Sequence, residues 1–76
     1  MKWFEAFEKK TGRKLFASKG FGSDGSLVAV YEPGRRGSAF TRKSPEKCRE
    51  LYTLGNALSE KENEEVTARF ENDLYF

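Results

Sequence analysis

The chain has 76 residues, of which 37% are hydrophobic, 34% charged and 14% aromatic, with a formal net charge of +2. That length predicts one domain, residues 1–76, with a core small enough that its aromatics must supply much of the buried area. A single cysteine, Cys48, and no histidine exclude an intrachain disulfide framework, His-based acid–base or nucleophile chemistry, and the usual zinc sites.

In chain order, residues 2–10 place Trp3, Phe4 and Phe7 at i, i+1 and i+4, with Glu5, Glu8 and Lys9 elsewhere. This spacing predicts a short amphipathic helix ended by Thr11-Gly12, with Gly12 as its C-terminal cap. The same stretch carries acids and no continuous apolar run, so it is not expected to be a secretory signal. Residues 14–20 alternate and predict a strand, GSDGS a turn, and LVAVY a second strand. Glu32-Pro33-Gly34 ends that strand, and a loop closed by Gly37 leads to a third, more polar strand over residues 38–43. Ser44-Pro45-Glu46 is a helix start: N-cap, proline at the first helical position, acid in the first turn. Cys48, Leu51, Tyr52, Gly55 and Leu58 continue it as an apolar face. Ser59 with Glu62 forms a capping box, and Val66, Phe70 and Leu74 support a second helix to about Asp73. The alternation of Val66, Ala68 and Phe70 is the competing strand pattern.

These elements predict an α+β fold: a short N-terminal helix, a three-stranded antiparallel sheet, and one or two C-terminal helices on one sheet face. Trp3, Phe4, Phe7, Leu27, Ala29, Leu51, Leu58, Val66 and Phe70 would form one core between two layers. The tail aromatics are expected to fold back onto it.

Gly20, Gly22 and Gly25 have the G-x-G-x-x-G spacing of a phosphate-cradling loop. In dinucleotide-binding folds that spacing opens a helix. Here it opens LVAVY, and Asp24-Gly25 suits a hairpin turn, so a turn is expected and no cofactor. No paired acid–base or nucleophile constellation is visible, so no catalytic residues and no metal site are expected, and the chain is read as non-enzymatic.

Charge is uneven. Residues 9–49 hold eleven Lys and Arg against Asp24, Glu32 and Glu46, a local +8, while residues 57–76 hold six Asp and Glu against Lys61 and Arg69, a local −4. The basic stretch PGRRGSAFTRKSPEK offers Arg35, Arg36, Arg42, Lys43 and Lys47 as contacts to phosphates, with Phe21 as an aromatic contact from the glycine loop. Glu62, Glu64 and Glu65 offer an acidic partner surface. The expected outline resembles the sheet-reading DNA-binding domains of phage integrases and plant AP2 factors. With a leading helix it is also similar to double-stranded-RNA-binding domains, although SPEKCRE replaces the lysine-rich start of their final helix. The resemblance implies nucleic-acid binding through the second hairpin and the following helix start. The alternative expectation is a protein-binding inhibitor of host machinery, since the short, cysteine-poor composition resembles that of anti-CRISPR proteins encoded by phages. Its partner would be a host protein or nucleoprotein complex. A cytoplasmic location and no membrane span are expected, and the small core leaves room for a homodimer.

Overall fold

The computed structural model, which describes residues 1–34 and 38–74, contains five strands and two helices. In order they are β1 (Trp3–Glu8), β2 (Lys14–Phe21), β3 (Leu27–Glu32), β4 (Ala39–Lys43), α1 (Pro45–Leu51), β5 (Tyr52–Ala57) and α2 (Glu60–Leu74). All strands join one antiparallel sheet in the order β4-β3-β2-β1-β5. The chain is therefore α+β, but with five strands instead of three, a strand where the N-terminal helix was expected, and helices on both sheet faces.

Each correction has a local cause. In β1, Trp3, Glu5 and Phe7 point to one face and Phe4, Ala6 and Glu8 to the other, because strand side chains alternate. Both faces of this strand are covered, so it shows no apolar–polar alternation, and its three aromatics mimic helical spacing. Its acids are held at the sheet surface: Glu5 pairs with Lys14 at 3.3 Å, and Glu8 accepts from Thr11 at 2.6 Å. Gly12, at φ +75°, turns the β1–β2 hairpin instead of capping a helix, since the left-handed conformation serves both. Helix α1 keeps its expected start, with Ser44 Oγ accepting from the Lys47 N–H, but stops at Leu51. Tyr52–Ala57 then pairs with β1 through a bulge opposite Glu5. Helix α2 starts at the expected Ser59–Glu62 pair: the Glu62 N–H donates to Ser59 Oγ, and that hydroxyl, instead of the Ser59 backbone N–H of a full capping box, donates to Glu62 Oε1.

Two cores replace the single one expected. Ala6, Leu15, Ala17, Val28 and Val30 form the first with Cys48 of α1 and Tyr52. Trp3, Ala29 and Tyr31 form the second on the opposite face with Phe70 of α2, flanked by Phe16, Phe21, Phe40, Leu58 and Val66. Of the residues expected in the core, Trp3, Ala29 and Phe70 are buried, while Phe4, Phe7, Leu27, Leu51, Leu58 and Val66 are half-buried. The order is thus three layers: α1, sheet, α2. Among the described residues, no helix is long and apolar enough to cross a membrane.

Candidate functional site

The glycine loop connects β2 to β3, as a hairpin. Gly25, at φ +72°, donates its N–H to the Gly22 carbonyl at 3.2 Å, and Asp24 Oδ1 accepts from the Ser26 N–H and hydroxyl at 3.1 and 2.7 Å. These bonds hold the Asp24 carboxyl below its ordinary pKa. The loop opens a strand, so no helix N-terminus stands behind it.

The residues expected to form a basic cluster are divided by the sheet. Arg42 and Lys43 are neighbours on β4 and therefore point to opposite faces. Arg42 lies on the α2 side, its guanidinium 5.8 Å from the Phe21 ring centre and 5.9 Å from that of Phe40. Lys43, paired with Val28, lies on the α1 side. Lys47 is on α1, 3.6 Å from Glu50. Arg35 and Arg36 lie outside the described residues, as do Tyr75 and Phe76 of the tail. Phe21 has a packing role: its ring stands edge-on to Phe40 at 5.5 Å and to Phe70 at 6.2 Å.

Three cations gather with Lys43 on the α1 side. Lys2 and Lys19 lie 5.9 and 5.3 Å from the ring centre of half-buried Phe4, which shares this face with Ala17 and Ala57. Arg49 projects from α1. No described residue forms an ion pair with Lys2, Lys19, Lys43 or Arg49. Between α1 and the β2–β3 hairpin is a cavity of about 310 Å³ with Lys19 and Arg49 at its rim and Val28, Pro45, Cys48 and Leu54 among its walls. Burial raises the Cys48 thiol above its ordinary pKa, with Lys43, Arg49 and Lys19 all acting against that shift. Lys19 and Arg49 line the cavity itself, and Lys43 shares the same sheet face. Helix α1 also carries exposed Glu46 and Glu50, on its solvent side.

The opposite side of the molecule is acidic. Glu62, Glu64 and Glu65 are all exposed on α2, together with Glu60 and Glu71. The inner side of that helix is tied down by polar contacts. Asn63 Oδ1 accepts from the Trp3 N–H at 2.6 Å, Thr67 Oγ1 from the Trp3 indole at 3.0 Å, and Asp73 from Ser38 at 2.6 Å and from the Tyr31 hydroxyl.

Sequence reasoning missed Lys2, Lys19 and Arg49 as members of one group. They are separated along the chain, and only the β2–β1 pairing and the crossing of α1 bring them together. Among the described residues, no cluster of three His, Cys, Asp or Glu is placed to hold a metal ion. Comparisons with family models, with curated proteins and with solved structures give no match for this chain.

Proposed function

We propose that the protein is a small, non-catalytic, cytoplasmic nucleic-acid-binding module whose working surface is the α1 side of the sheet. The observation that carries this reading is the group Lys2, Lys19, Lys43 and Arg49 on one side of the sheet, free of ion pairs with described residues, with Lys2 and Lys19 beside the Phe4 ring. Cations beside a half-buried ring suit a strand of phosphates and bases: the charges release counterions and the open part of the ring offers a stacking surface. Acids concentrated on α2, across the molecule, would keep the opposite side away from the polyanion and so orient the encounter.

A second reading is a protein-binding inhibitor of host machinery, supported by the exposed row Glu62, Glu64 and Glu65. One gel-shift experiment with random duplex and single strands separates the two. Under the first reading a shift appears at low salt. Three phosphate contacts would cost about 40-fold in affinity between roughly 50 and 200 mM salt. The double reversal Lys19→Glu with Lys43→Glu abolishes the shift, and reversal of Glu62, Glu64 and Glu65 to lysine preserves it. No shift at low salt with the unaltered protein sinks the first reading and leaves the acidic helix as the surface to pursue.

A further inference from the structure

The cavity between α1 and the β2–β3 hairpin has a chemistry of its own, separate from the charged surface around it. Its walls include Val28, Pro45, Cys48 and Leu54, and its volume of about 310 Å³ falls at the small end of ligand-pocket sizes. Lys19 of β2 and Arg49 of α1 both line it, with Gly20 and Gly25 of the hairpin, and no carboxylate does.

Two kinds of occupant fit badly. A bare inorganic anion would leave the apolar walls uncovered and would give up its hydration for two exposed cations. An uncharged apolar molecule would cover the walls but strip water from Lys19 and Arg49 with nothing in return. A molecule with both parts satisfies both: an apolar body against Val28, Pro45 and Leu54, and an anionic head between the ammonium and the guanidinium. We infer that this cavity is a binding site for a small organic anion, a carboxylate or phosphate monoester carrying one ring or a short alkyl chain. The inference stands whether or not a polymer runs across the surrounding lysines, because it rests on a half-open volume lined by both apolar groups and two cations.

The test is an NMR titration of the isotope-labelled protein with three probes: 4-phenylbutyrate, 4-phenylbutanol, which has the same body without the charge, and acetate, which has the charge without the body. Phenylbutyrate should give saturable shifts centred on the amides of Gly20, Gly25, Ser26, Cys48 and Arg49. The alcohol and acetate should each bind at least about tenfold more weakly, the ratio expected when one of two complementary parts is removed. Lys19→Met with Arg49→Met keeps the long stems of two exposed side chains, and the spectrum itself reports whether the fold survives. That variant should bind acid and alcohol equally. The inference is overturned if phenylbutyrate shifts are scattered and unsaturable, if the alcohol matches the acid in the unaltered protein, or if the double substitution preserves the preference for the acid. The gel-shift result has no bearing on any of these outcomes.

Discussion

The indole of Trp3 is fully buried, with its ring centre 5.9 Å from that of Tyr31 and 5.2 Å from that of Phe70, yet it carries a polar N–H. Thr67 on α2 satisfies that donor. Thr67→Val keeps the shape and removes the acceptor, leaving a buried donor unpaired, which costs about 1–3 kcal/mol. Urea unfolding followed by the fluorescence of Trp3, the sole tryptophan, should register that loss. A second contact on the same helix responds to pH. Hydrogen bonds from Ser38 and Tyr31 hold the Asp73 carboxyl below its ordinary value of 3.8. A carboxyl with a lowered folded-state pKa stabilises the fold above its unfolded-state value, and the benefit disappears as pH falls through the folded-state value. The urea midpoint should therefore drop as acid is added below that ordinary value. Asp73→Asn should lower the midpoint at neutral pH and flatten the acid limb without abolishing it, since hydrogen bonds hold Asp24 low as well.

At the scale of elements, the start of α2 was legible because it is written locally, while the alternation of Val66, Ala68 and Phe70 kept a strand open for its middle. Ser59 caps the Glu62 N–H, and the Glu62 carboxylate in turn orients the Ser59 hydroxyl, an arrangement that needs no tertiary partner. Ser59→Ala should cost about 1 kcal/mol, which for a domain of this size lowers the thermal midpoint by roughly 4–8 °C, measurable by circular dichroism. Strands β2 and β3 were legible for a similar reason: β2 alternates, β3 is β-branched at Val28 and Val30, and the Asp24-Gly25 turn joins them. The first strand and β5 were not. Trp3, Phe4 and Phe7 face two different cores, and a strand buried on both sides loses the period that would identify it. In β5, Tyr52 and Gly55 happen to extend the helical spacing begun by Cys48 and Leu51, and only pairing with β1 overrides it. The site followed the same rule. Lysine-rich composition was visible, but which lysines share a face depends on strand parity, and parity separates Arg42 from Lys43.

For the whole molecule, the sheet sorts charge as well as apolar groups. Lys2, Lys19, Lys43 and Arg49, without ion pairs among the described residues, stand on the α1 side and five glutamates on the outer side of α2, with Arg42 on the α2 side and Glu46 and Glu50 on α1 as the exceptions. The strand order β4-β3-β2-β1-β5 has a further consequence for how the protein is made. The first strand to leave a ribosome is the one whose second neighbour arrives last. Residues 3–43 can close as a four-stranded meander while residue 52 is still unmade, but β1 then has a bare edge and Trp3 an open flank. A bare strand edge invites pairing with other chains. Protection comes only when β5 docks and α2 sets Asn63 and Thr67 against Trp3. The last third of the chain therefore acts as the lock on the first strand, and a nascent chain stalled before it is the form of this protein most exposed to misassembly.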